Sequence, residues 1–165
     1  MEINMDNGLI VNILVESMSE DHVTIIKKLS KPKRDEELAA ELNVKETIVR
    51  TLLNDLHARS LVEYERIKDK RTGWYTYLWK KRSDKIEEYI SNYLHGKLDD
   101  LYRKLDEEKN GTFRCSCSRV SLEKAMDTNF ICPECNEPYV NLDNSDEISK
   151  IETEIARINN FLKSI

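Results

Sequence analysis

The chain is poor in the residues on which several common functions depend. Its 165 residues include four glycines, at positions 8, 73, 96 and 111, and no two are close. A Walker A loop and a dinucleotide-binding fingerprint both need clustered glycine so that backbone can approach phosphate, and both are excluded. The three histidines, His22, His57 and His95, lie far apart, which excludes a local histidine-based metal motif. The longest uncharged apolar stretch, Gly8 to Val15, falls well short of the roughly 20 residues that cross a bilayer, so no membrane contact is expected. Met1-Glu2-Ile3 begins no basic, apolar leader, so no secretion signal is expected and the cytoplasm is the expected compartment. Neither sign of charge dominates: 26 Lys and Arg stand against 31 Asp and Glu, with 35 % charged and 39 % hydrophobic residues. Such a chain suits several small cores better than one large one, because small domains bury a smaller fraction of their surface.

The net charge of −5 hides an asymmetry. Through Arg82 there are 15 basic and 14 acidic residues; from Ser83 onward there are 11 and 17. Nucleic-acid contact is therefore expected in the first half, and of modest strength. Helical spacing predicts short helices over Gly8–Met18 and Asp21–Leu29, the second ended by Lys31-Pro32-Lys33, and a third over Asp35–Leu42 with Leu38, Ala39 and Leu42 on one face. Asn43 reads as an N-cap and Glu46 completes a capping box. The helix it starts is expected to run to about Arg59 and to bury Val44, Ile48, Leu52 and Leu56. It offers only Lys45, Arg50, His57 and Arg59 against Glu46 and Asp55, which is thin for reading a major groove and suits a protein-docking scaffold.

The period then falls to two. Leu61–Ile67 and Trp74–Trp79 are rich in β-branched and aromatic residues, and Asp69–Gly73 separates them as a hairpin loop. A helix-turn-helix followed by a hairpin predicts a winged helix-turn-helix domain over residues 1–82. The candidate nucleic-acid contacts are Arg66, Lys68, Lys70, Arg71, Trp74, Tyr75, Lys80, Lys81 and Arg82: basic groups for phosphates, rings for unpaired bases. Of Trp74, Tyr75, Tyr77 and Trp79, alternation is expected to send some to the core and the others to solvent.

Residues 83–110 predict one long linker helix with a stripe of Ile86, Ile90, Leu94, Leu98, Leu101 and Leu105. All four cysteines follow within residues 111–142, as Cys115-Ser-Cys117, fourteen residues, then Cys132-Pro-Glu-Cys135. Two thiolate pairs at this separation suit one tetrahedral zinc, structural rather than catalytic because four thiolates leave no open position. Two disulfides are the competing reading, disfavoured in a leaderless chain. Residues 143–165 carry Ile148, Ile151, Ile155, Ile158, Leu162 and Ile165 at heptad spacing, a seam too short to stand alone. The linker stripe is the expected cover, in an antiparallel pair that leaves a monomer, with Glu87, Glu88, Asp99 and Asp100 facing Lys150, Arg157 and Lys163. The expected fold class is α+β, mainly helical: winged helix-turn-helix, long linker helix, zinc ribbon and short amphipathic C-terminal helix. No nucleophile has a local partner, so an enzyme is not expected.

The run Asp69-Lys70-Arg71-Thr72-Gly73-Trp74-Tyr75-Thr76-Tyr77-Leu78-Trp79, with Leu61-Val62 before it, resembles the wing of archaeal transcription factor E, counterpart of the alpha subunit of the eukaryotic general factor TFIIE. Ala125-Met126, Phe130 and Cys132-Pro133-Glu134-Cys135 resemble the second half of that family's zinc ribbon, and the order of parts matches along nearly the whole chain. Cys115-Ser-Cys117 departs from it, since the family usually places two or three residues between those cysteines. The resemblance implies a basal, nucleoid-associated factor that joins the preinitiation complex of TATA-binding protein and promoter DNA. It implies a role in promoter opening and open-complex stability, especially where TATA-box recognition is weak. The winged helix would sit on the RNA polymerase clamp with its wing at the non-template strand of the bubble, and the ribbon and linker would lie toward the stalk. A stand-alone winged-helix repressor dimerising through its C-terminal helix is the alternative.

Overall fold

Short side chains with oxygen acceptors start the first two helices. In the computed structural model, which describes residues 5–165, Asn7 Oδ1 accepts from Leu9 N–H at 3.0 Å and opens α1 (Gly8–Ser17). Ser19 Oγ accepts from His22 N–H at 3.4 Å and opens α2 (Glu20–Lys28), whose Glu20 and Asp21 at one end and Lys27 and Lys28 at the other complement the helix dipole. The leader reading at Met1-Glu2-Ile3 lies outside the described residues. After Pro32 comes a two-residue strand, β1 (Lys33–Arg34), then α3 (Asp35–Leu42), held at its start by Arg34 N–H donating to Glu37 Oε2 at 2.9 Å. α4 (Glu46–Ala58), β2 (Val62–Lys68), β3 (Tyr75–Lys81) and α5 (Ser83–Lys109) follow. The chain packs as two compact units, one up to Tyr93 and one from Leu94, with α5 contributing to each.

Two expectations for α4 fail. Asn43 is not its N-cap: it ends α3 in the left-handed region (φ 54°), with its own N–H bonding Ala40 O at 3.3 Å and the N–H of Val44 bonding Ala39 O at 3.1 Å. That is a Schellman motif, and it leaves Lys45 as the residue before α4. The buried face also differs: Leu56 is inside as expected, but its companions are Val49 and Leu53, while Leu52 is half-buried and Val44 and Ile48 are 40 % and 48 % exposed. The face is chosen by what α4 packs on, which is α3 and α2 among the helices and β2 of the sheet.

With few glycines, other residues supply the left-handed caps. Ser60 (φ 61°) closes α4 through Ser60 N–H to His57 O at 2.9 Å and Leu61 N–H to Leu56 O at 3.0 Å. Asn129 (φ 51°) does the same after α6 (Leu122–Asp127). In the first unit β3 is the central strand of an antiparallel sheet ordered β1-β3-β2. Beneath it the fully buried Leu14, Ile25, Ile26, Leu53 and Leu56 form the core.

The second unit holds the late half of α5, then β4 (Thr112–Arg114), β5 (Arg119–Ser121), α6, β6 (Val140–Asn141) and α7 (Ser145–Leu162). Its small sheet is ordered β5-β4-β6, and Ala125, Cys132 and Tyr139 pack against Phe113 and Val120 beneath it. Asn144 Nδ2 donates to Glu108 O at 2.9 Å and Asn159 Nδ2 to Tyr102 Oη at 3.3 Å, so α7 runs antiparallel to α5. Ile151, Ile155 and Ile158 are buried, Ile148 and Leu162 half-buried, and Ile165 is exposed. The charge pattern across the pair is the reverse of that expected: Lys104 meets Glu147 at 3.4 Å and Lys109 meets Glu152 at 2.7 Å, with lysine on α5 and glutamate on α7. Asp100 and Arg157 pair along their own helices, with Arg103 and Glu154. Among the described residues no helix is long and apolar enough to cross a membrane.

Candidate metal centre and nucleic-acid interface

Two turns bring the four thiols together. Cys115 N–H donates to Ser118 O at 3.0 Å and closes the four-residue loop between β4 and β5, where Arg114 faces Arg119. Because the loop is a tight hairpin, one intervening residue is enough to aim Cys115 and Cys117 at the same point. The other turn is closed by Asn136 N–H to Cys132 O and Cys132 N–H to Glu137 O, both at 2.9 Å, with Asn136 at φ 60°. Cys115 Sγ and Cys117 Sγ are 3.5 Å apart, as are Cys117 Sγ and Cys132 Sγ, and all four sulfurs lie within 4.8 Å of one another. Four thiolates at about 2.3 Å from a tetrahedral ion stand about 3.8 Å apart, so the cluster fits one. A disulfide needs about 2.05 Å. All four cysteines are free, and the disulfide reading does not hold.

The thiols also show why a cation is wanted. Cys132 is pulled down to about 5, first by the N–H of Cys135 and then by the Tyr139 hydroxyl. Cys117 is pushed up to about 12 because it shares its proton with Cys132, Cys135 and Cys115. Hydrogen bonds thus pull the two pKa values apart, favouring Cys132 as thiolate and Cys117 as thiol, which conflicts with a set of four thiolate ligands. A soft divalent ion removes that conflict, and the set is compatible with zinc. Glu137 ties the two turns together: its Oε2 accepts from Ser116 N–H at 3.2 Å and from the Ser116 hydroxyl, which hold this carboxyl below its usual range, and it lies 3.9 Å from Cys135 Sγ.

The hairpin of the first unit is closed by Asp69 N–H to Trp74 O at 2.8 Å and Gly73 N–H to Asp69 O at 2.9 Å. Gly73 stands at φ 76°, where a side chain would be strained. Asp69 Oδ1 accepts from Arg71 N–H at 2.7 Å and Thr72 N–H at 3.2 Å, and these bonds hold its carboxyl below the ordinary range. Lys70 and Arg71 sit in this exposed tip, and Trp74 beside it is 77 % exposed.

The register pairs Tyr64 with Trp79, Arg66 with Tyr77 and Lys68 with Tyr75, so all six share one face. The aromatics are therefore not divided between faces: Tyr75, Tyr77 and Trp79 point the same way, and only Trp79, at the base, is buried. The division is along the strand, because the helices underlie only its base, where His57 stands 5.1 Å from Tyr64 and 6.1 Å from Trp79. Arg66 lies 4.1 Å above the Tyr75 ring. Lys80 is on the opposite face, paired with Glu63 at 3.1 Å; half-buried Lys81 stands opposite Val62; Arg82 bonds Asp84 at 2.7 Å. The structure thus gathers Arg66, Lys68 and Tyr75 with Tyr64 and Tyr77, places Lys70, Arg71 and Trp74 at the tip, and sets Lys80, Lys81 and Arg82 apart. Tyr64 and Glu137 were missed from sequence. Counting the hairpin register inward from the loop would have found Tyr64; no local signal marks Glu137.

The profile of the TFIIE alpha subunit matches residues 8–110. A transcription factor E of Methanococcus vannielii is 36 % identical over 161 residues, covering 93 % of this chain and 92 % of that protein. One from Methanocaldococcus jannaschii is 37 % identical over 134 residues, 79 % and 77 % of the two chains, and one from Cenarchaeum symbiosum 31 % over 146, 85 % of each. A solved structure described as a possible transcriptional regulator from Methanosarcina mazei is similar in fold, with TM-score 0.50 and 18 % identity over 59 % of this chain and 84 % of that one. The class these matches define is that of transcription factors, which is not a class of enzymes. The chain belongs to the TFIIE alpha subunit family, with the transcription factor E proteins, and is a basal transcription initiation factor.

Proposed function

We propose that the chain joins the preinitiation complex, with TATA-binding protein and promoter DNA, and assists promoter opening through a winged helix-turn-helix domain over residues 1–82. The long helix over 83–110 links it to a zinc ribbon over 111–142, and residues 143–165 form the C-terminal helix. The observation that carries this reading is the hairpin, whose tip and outer face present Arg66, Lys68, Lys70, Arg71, Trp74 and Tyr75 to solvent. Lys80, Lys81 and Arg82 extend the basic strip at its base as weaker contacts, their charges being shared or half-covered. Basic and aromatic groups together favour the unpaired non-template strand of the bubble over intact duplex. The exposed Ile48 on α4 and Val44 in the turn before it suit a protein surface better than a major groove, which supports docking on the RNA polymerase clamp, with the ribbon toward the stalk. The chain acts as a monomer at the nucleoid, without catalysis of its own. A repressor dimerising through α7 would need Ile151, Ile155 and Ile158 free, and they are covered within the one chain.

Cys115, Cys117, Cys132 and Cys135 hold one structural zinc in this reading. Reduced protein should carry one zinc per chain by elemental analysis, and less than half would overturn the assignment. Mobility shift with bubble and duplex DNA, beside capture by purified polymerase, tests the rest. Bubble preference and polymerase capture are expected; a tight sequence-specific duplex footprint by the protein alone would refute the reading.

A further inference from the structure

The short β1 strand leaves a slot behind it. β1 pairs with β3 only at Lys33 with Trp79 and Arg34 with Leu78, because Asp35 begins α3 and carries the chain away from the sheet. The edge of β3 beyond Leu78 therefore has no neighbouring strand, and a cavity of about 490 Å³ lies between it and the two helices α3 and α4. The rings of Tyr64, Tyr75 and Tyr77 line one side above Trp79; Glu36 and Asn54 line the other. The tyrosines are 41–47 % exposed. Arg50, also at the wall, is already taken by Asp35 and by Glu46 at 3.0 Å. Neither Glu36 nor Asn54 makes a side-chain hydrogen bond among the described residues. Arg66 and Lys68 stand on the ring-bearing face, toward the tip.

We propose that this slot takes one unpaired nucleobase bearing an exocyclic amino group, cytosine, adenine or guanine rather than thymine. This rests on the single-strand contact proposed above and adds a base preference to it. The base stacks on the tyrosine wall, its amine donates to the Glu36 carboxylate, and Asn54 meets the remaining edge. A carboxylate accepts from either hydrogen of an exocyclic amine, whereas unpaired thymine offers only N3–H, flanked by O2 and O4, which repel the carboxylate; the carboxylate also repels phosphate. The backbone is thereby kept on the side of Arg66 and Lys68, which gives the strand a direction across the hairpin. A flat ligand with two π faces and a rim of donors and acceptors matches rings on one wall and a carboxylate beside an amide on the other.

Fluorescence anisotropy with labelled dC, dA and dT 12-mers tests this on the full chain. The dC and dA strands should bind about 5-fold or more tighter than dT. Tyr77→Ala should weaken dC binding about 5- to 100-fold, with Tyr77→Phe restoring it, circular dichroism unchanged in each. Glu36→Ala should bring dC down to the level of dT without weakening dT. Equal binding of dC and dT by the wild-type chain, or Tyr77→Ala binding as well as wild type, would overturn the slot. Slot variants that keep oligonucleotide affinity but lose polymerase capture would put a protein segment there and overturn it too. The two readings separate through the tip: if Lys70→Glu with Arg71→Glu weakens all three strands while slot variants do not, only the slot fails. If no strand binds, the single-strand reading itself fails.

Discussion

Replacing Ile155 by Ala removes the central side chain of the α7 seam. Ile155 is 7 % exposed, between Ile151 and Ile158 at 4 % each, so the truncation opens a cavity with no exposed neighbour able to fill it. Such buried Ile-to-Ala changes cost about 2–5 kcal/mol. A unit of this size has about 4–11 kcal/mol of stability, so the variant should lose roughly half of it. In urea the far-ultraviolet transition should move down by roughly 1–3 M. Both tryptophans, Trp74 and Trp79, lie in the first unit, so their fluorescence provides an internal reference that should move much less. Ile165→Ala, at a 48 % exposed position, should cost less than about 0.5 kcal/mol. The midpoint should be independent of protein concentration, because the seam is covered by the same chain. An unchanged midpoint for Ile155→Ala would refute the packing, and a midpoint rising with concentration would refute intramolecular cover.

Ser60→Gly should stabilise the first unit by about 0.5–1 kcal/mol, because Ser60 holds a left-handed conformation that costs an L-residue about 1–2 kcal/mol and glycine returns part of this as chain entropy. Its tryptophan-detected melting point should rise by about 2–6 °C, and a fall would contradict the Schellman geometry. The Asp69 carboxyl is held below its ordinary 3.8 by the N–H groups of Arg71 and Thr72. Its contribution is complete above that value and is lost only as pH falls through the lower folded value, so the hairpin tip should stay ordered on acidification past 3.8. Carboxyl titration by NMR checks this, and an Asp69 that titrates at or above 3.8 would contradict the loop. Glu137→Ala unties the two cysteine turns and should weaken metal affinity about 10- to 100-fold in a chelator competition, with the metal-loaded fold unchanged. Unchanged affinity would reduce Glu137 to a surface contact.

What was legible from sequence was whatever depends on neighbours along the chain. α3 spans Asp35–Leu42 as the apolar spacing requires, α5 ends within a residue of the expected place, and the cysteine spacing brought four thiols to one point. Choices between equivalent local solutions were not legible. Asparagine serves as an N-cap or as a left-handed C-cap, and with so few residues between α3 and α4 both roles fit Asn43; the bond from Val44 N–H back to Ala39 O decides. Val44-Ile48-Leu52-Leu56 and Val49-Leu53-Leu56 both read as apolar stripes along the chain, and only packing on α3, α2 and β2 selects the second, which keeps Leu56 and leaves Val44 before the helix. The aromatic alternation of β3 gives Tyr75, Tyr77 and Trp79 one side, but how far the helices reach beneath that side decides which rings stay open. Glu137 and Ser116 are 21 positions apart, and the slot beside β3 exists because β1 stops after two residues. Tertiary structure decided these features, because each depends on where a distant segment begins or stops, which local spacing does not encode.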